Sequence, residues 1–133
     1  MKTTKGTAQS SQKKAEALED RMIDFAIRIG AVAQALPSTK FGKHIAGQII
    51  RCGSAPAPNY GEADAGESLS DFIPELGVVY KELRETCIWP QMIIRGKMQT
   101  DRRMSPLLDE CNQLCNIIAA SIKTAKSNRG DAF

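Results

Sequence analysis

Few residues in this chain are equipped for chemistry, and their spacing limits what they could do. Glu62, Glu82 and Glu85 are carboxylates within helix-forming stretches. A di-iron helical bundle needs such carboxylates together with two Glu-x-x-His motifs. His44 is the only histidine, so that chemistry is not expected. Four cysteines stand at Cys52, Cys87, Cys111 and Cys115. Cys111 and Cys115 are four apart and share a helix face. No C-x-x-C occurs, and one histidine cannot complete a metal site. Each cysteine falls at an apolar-periodic position, so all four read as small core residues. No base stands beside a thiol for nucleophilic catalysis, and no glycine loop suits a phosphate. No catalytic residue, no metal and no cofactor are expected.

Composition agrees with a protein that binds rather than reacts. At 133 residues the chain fits one domain. Charged residues make up 25% and aromatics 5%, which suits an aliphatic helical core. No apolar run of roughly 18 residues exists, so no membrane span is expected. The N-terminal MKTTKGTAQSSQKK lacks the apolar segment of a signal peptide, which points to a cytoplasmic protein. The net charge of +3 is unevenly spread. Lys13, Lys14, Lys40, Lys43, Arg102, Arg103, Lys123 and Lys126 are the candidates for nucleic-acid contact.

The elements that carry these residues are helical throughout. Residues 1–13 are small and polar and predict a disordered tail. Leu18, Met22, Phe25, Ile29, Val32 and Leu36 form a seam with spacings 4, 3, 4, 3, 4, which ends at Pro37. Ser38 or Thr39 can cap a second helix with Phe41, Ile45, Ile49 and Cys52 on its apolar face. Pro56 and Pro58 predict a kink or a break, with Asn59 and Glu62 as a capping box that restarts the helix. Gly66, Glu67 and Ser68 mark a tight turn, and Ser68 with Asp71 gives another capping pattern. The third helix carries Leu69, Phe72, Leu76, Val79, Leu83 and Cys87, and Pro90 should kink or end it. Trp89 reads as a core or interface anchor, with Ile93 and Ile94 as interface candidates. Arg95 to Met104 reads as a basic connector, with Ser105-Pro106 opening the fourth helix. That helix carries Leu107, Cys111, Leu114, Ile118 and Ile122. The expectation is an all-α, antiparallel up-and-down four-helix bundle over 14–127, its second helix kinked near Pro56 and Pro58. Residues 128–133 read as a frayed end.

The run R-x-G-S-x-x-x-x-N-Y-x-E-A from Arg51 to Ala63 resembles the four-helix bundle protein family, also called the 23S rRNA intervening-sequence protein family. S-x-x-D-F at Ser68 to Phe72, K-E-x-x-E at Lys81 to Glu85, and Trp89 fit the same pattern, as does the passage from Leu36 to Arg51. The resemblance spans about residues 15–126. It departs at Pro56, Pro58, Pro74 and Pro90, where members more often carry helix-compatible residues. It implies a homo-oligomer, often a pentamer, with no enzymatic activity. It carries over Arg51, Asn59, Glu62, Glu82 and Glu85 as the family's polar signature, without a role. Related bundles are accessory subunits that bind nucleic acid and a reverse transcriptase.

Two functions follow as expectations. One is a non-enzymatic homo-oligomer that binds RNA or DNA through summed basic ends, with affinity falling as salt rises. The other is a protein-interaction scaffold, such as an accessory subunit of a reverse transcriptase, with no nucleic-acid binding of its own. Neither involves a membrane.

Overall fold

The computed structural model describes residues 2–66 and 68–131, and they form five helical segments with no strand among them. These are α1 (Lys2–Ala35), α2 (Lys40–Ser54), α3 (Pro56–Asp64), α4 (Leu69–Arg95) and α5 (Asp101–Arg129). Helix α1 begins within the stretch whose composition predicts a tail, and α5 runs on to Arg129, past the expected fraying point at 128. Met1, Glu67, Ala132 and Phe133 lie outside the described residues.

Segments α2 and α3 make one rod. Ala55 joins them in the right-handed helical region, and the two halves bend by 19°. Pro56 and Pro58 sit in the first turn of α3, where a missing N–H costs least. The Asn59 capping box does not form. The Asn59 amide donates to the Ala55 carbonyl at 3.1 Å, inside the helix. The prolines are satisfied by position, so no restart is needed.

Pro90 neither ends nor breaks α4, which continues to Arg95 with Pro90 buried. Ser105-Pro106 does not open α5 either. Thr100 caps it, accepting from the Arg103 amide at 3.2 Å, and Ser105 donates to Asp101 at 3.0 Å within the helix. Pro106 is exposed, so the carbonyl it leaves without an amide can meet water. Two expected caps do form. Thr39 accepts from the Gly42 amide at 3.0 Å, and Ser68 from the Asp71 amide at 3.2 Å.

The four rods close a ring: α1 packs on α2–α3, α2–α3 on α4, α4 on α5, and α5 on α1. The core is the α1 seam of Leu18, Met22, Phe25, Ile29 and Leu36 against Ile45, Ile49, Leu76, Val79, Leu83, Leu114 and Ile118. Phe41 lies outside it, 51% exposed, because Gly42 takes the inward position at the start of α2. Leu69 is also exposed, and Ile73 is buried in the first turns of α4 instead. Gly53 sets the approach of α2 to α1, since a Cβ there would lie 2.7 Å from Ile29 Cγ2. No described helix is long and apolar enough to cross a membrane.

Candidate functional site

Helix α4 positions two clusters, one on each flank. Toward α2 the side chains are polar. Arg51 donates to Glu82 Oε2 at 3.3 Å, to Gln48 Oε1 at 3.1 Å, and forms a close ion pair with Glu85. Trp89 Nε1 donates to the same Glu85 oxygen at 3.1 Å. His44 packs edge-on against the Trp89 ring, with centroids 5.9 Å apart and planes at 74°. Spacings of three and four along α4 put Glu82, Glu85 and Trp89 on the face toward α2, the two glutamates beside Arg51 in its last turn and Trp89 beside His44 near its start. Three of the five polar signature residues therefore meet. Asn59 is half-buried in α3 and Glu62 is exposed, and neither joins this network.

Toward α5 the flank is sulfur. Cys87 donates to Cys111 with Sγ atoms 2.7 Å apart, and Cys87 and Cys115 are 3.7 Å apart. The three Sγ atoms all lie within 4.8 Å of one another. Cys111 also donates to the Leu83 carbonyl at 3.3 Å. All three thiols are buried and reduced. Hydrogen bonds from Cys111 and Cys87 pull the Cys115 thiol below the usual range. Bonds to Cys115 and Cys87, with burial, push Cys111 far up. For Cys87, the bond with Cys111 favours the thiolate, but the bond with Cys115 and burial outweigh it and raise the thiol. Cys52 stands apart, hydrogen-bonded to the Ile49 carbonyl. Burial raises it to about 11, against an opposing bond with Thr86. The three-thiol cluster escaped the sequence reading, which saw only Cys111 and Cys115 on one face. Cys87 joins them only once the register of α4 against α5 is known.

The remaining candidates scatter. Lys13, Lys14, Lys40, Lys43, Arg102, Arg103 and Lys123 are exposed, and Lys126 is half-buried. Lys40 and Lys43 lie in the first turn of α2, and Arg102 and Arg103 in the first turn of α5. Ile93 is fully buried, so it serves the core and not an interface. Ile94 and Trp89 pack on the core with part of their surface exposed. Besides Phe41 and Leu69, the large apolar residues that face outward are Ile23 and Ile27 on α1, Ile50 on α2, and Val78, Ile88 and Met92 on α4. Ile23 with Ile27 and Ile88 with Met92 were visible in the sequence as off-seam pairs at i, i+4. Arg21 also emerges, clasping Glu110 of α5 through Nη2 at 2.6 Å and Nε at 3.2 Å. An open groove of about 780 Å³ lies between α1, α3 and the end of α5, lined by Leu18, Tyr60, Phe72 and Ile117.

No family model matches the chain, and no curated protein does. Among solved structures it is similar to a protein of unknown function from the S23 ribosomal protein family of Bacteroides thetaiotaomicron. The TM-score is 0.74 at 26% identity, over 80% of this chain and 98% of that one. The similarity is to a helical bundle, and nothing in it indicates catalysis.

Proposed function

We propose that this chain is a non-enzymatic, homo-oligomeric up-and-down bundle that binds nucleic acid, RNA in particular, through one basic end. The contacts support opposed neighbouring rods. Gly53 faces Ile29 while Gly61 faces Glu19, and Arg51 meets Glu85 while His44 meets Trp89. In that arrangement the α1–α2 and α4–α5 turns share one end. Lys40, Lys43, Arg95, Lys97, Arg102 and Arg103 then gather there, with Asp101 as the one acid within 37–44 and 95–103. None of the six is held in an ion pair among the described residues.

The observation that carries this reading is the backbone of Lys97. It closes α4 in the left-handed region, with φ 59°. Its amide bonds to the Ile94 carbonyl at 3.0 Å, and the Met98 amide to the Ile93 carbonyl at 3.0 Å. This is a Schellman cap, whose left-handed position is usually glycine. Gly130 fills it at the end of α5 with φ 91°. A lysine there costs on the order of 1 kcal/mol, and a cation placed at that cost fits phosphate contact. Lys97→Gly should raise stability by about 1 kcal/mol in urea unfolding while weakening RNA binding. RNA and DNA binding by fluorescence anisotropy across a salt series tests the whole reading. Steep salt dependence that shrinks in Lys40→Glu/Lys43→Glu is expected. No binding at low salt overturns it.

That failure would favour the scaffold reading, for instance as a subunit of a reverse transcriptase. Outward Ile23 and Ile27 on α1 and Val78, Ile88 and Met92 on α4 support assembly in either case. Helices α1 and α4 are not neighbours in the ring of rods, so their apolar patches lie on different sides of it. Patches on two different faces suit head-to-tail contacts, which close into a ring such as a pentamer when the rotation between copies permits.

A further inference from the structure

The cluster of Cys87, Cys111 and Cys115 has three properties that together select a ligand. It offers three sulfurs. No histidine or carboxylate joins them among the described residues. It is also dry, with the three residues 2%, 1% and 4% exposed. Thiolates prefer soft ions. An ion held by three sulfurs at ~2.3 Å sets them at most ~4 Å apart, the planar limit, and closer when a lone pair lifts the ion out of their plane. The 3.7 Å between Cys87 and Cys115 is near that value, and the 2.7 Å between Cys87 and Cys111 must open by side-chain rotation.

Coordination number and charge narrow the choice. Zinc takes four ligands, or three and a water, and this seam supplies neither a fourth side chain nor solvent. A cuprous ion accepts three sulfurs but leaves two negative charges in an apolar core, where unpaired charge is costly. A trivalent thiophile with three thiolates is neutral and needs no fourth ligand. We infer that Cys87, Cys111 and Cys115 form a binding site for a trivalent thiophilic metalloid of the arsenite class, bridging α4 to α5. The exchange balances without a redox step: As(OH)3 and three thiols give one As–S3 unit and three waters. Each thiol proton leaves on a hydroxyl.

The test uses the full chain, reduced and metal-free, with arsenite as probe. Native mass spectrometry should show one arsenic per chain with three protons lost. Thiol labelling in urea should find three of the four cysteines protected, leaving Cys52 to react. X-ray absorption should show three sulfur neighbours. Cys115→Ser should weaken binding by more than about a hundredfold, beyond the loss of a supporting group, while Cys52→Ser leaves it unchanged. Protection of two thiols or none, binding that survives Cys115→Ser, or tighter one-to-one binding of zinc or cuprous ion would each overturn the assignment. The labelling and absorption measurements need only the wild-type chain, so a variant that fails to fold does not blunt the test.

Discussion

The two flanks of α4 are built from interleaved residues and behave as different materials. Glu82, Glu85 and Trp89 face α2 and hold Arg51 in a half-solvated ion-pair network. Leu83 and Cys87 face α5 and hold two further thiols in a seam without water. The first flank keeps charge where solvent can share it: the Arg51 side chain is 50% exposed. The second keeps weakly polar groups where each S–H can find sulfur or a carbonyl. The number of drawn hydrogen bonds therefore says little about which flank holds the bundle together. Apolar burial at the seam does that, and the polar flank sets which faces meet.

Substitutions can separate the flanks. The largest effect is expected from Leu83→Ala, which empties a fully buried site beside the thiols. It should lose about 2–5 kcal/mol in urea unfolding. A loss under about 1 kcal/mol would mean that the seam is not the main source of stability. Thr39→Ala removes an observed cap and should cost about 1 kcal/mol. Arg51→Ala deletes three polar contacts, yet it should cost no more than about 1 kcal/mol, because an exposed pair is screened. That cost should shrink further in high salt. An Arg51 effect equal to that of Leu83 would break the contrast. The smallest effect belongs to Asn59→Ala. With no cap to lose, the unfolding free energy should change by less than about 0.5 kcal/mol.

Much of the core was legible because helix periodicity is a local property. The α1 seam holds from Leu18 to Leu36, with Ala33 buried and Val32 only partly so. The caps at Thr39 and Ser68 were legible because a cap is a short-range hydrogen bond. The prolines misled because a missing amide costs little in a first turn or on a wet face, and Pro56, Pro58 and Pro106 lie in such places. Pro90 is buried and still continues α4, which propensity alone does not foresee. Of the polar signature, Arg51, Glu82 and Glu85 lie together between α2 and α4, while Asn59 and Glu62 lie apart. The thiol cluster was illegible because it depends on the axial register between two helices 24 residues apart at Cys87 and Cys111. Ile93 was misjudged for a related reason: the turn after Arg95 folds Met98 back by its cap, and α5 is capped at Thr100, five residues before Ser105.

The joint at Ala55 bears on motion. Segments α2 and α3 look like one rod, but two rungs of the amide ladder are missing at Pro56 and Pro58. The last nine residues of the rod, Pro56–Asp64, are tied to the rest chiefly by packing. Such a segment opens at lower free energy than its neighbours. Amide protons of 59–64 should therefore exchange with deuterium sooner than those of 45–52. Tyr60 and Asp64 of this segment line the groove against α1 and α5. Opening of α3 would therefore change the width of this groove without parting the other rods.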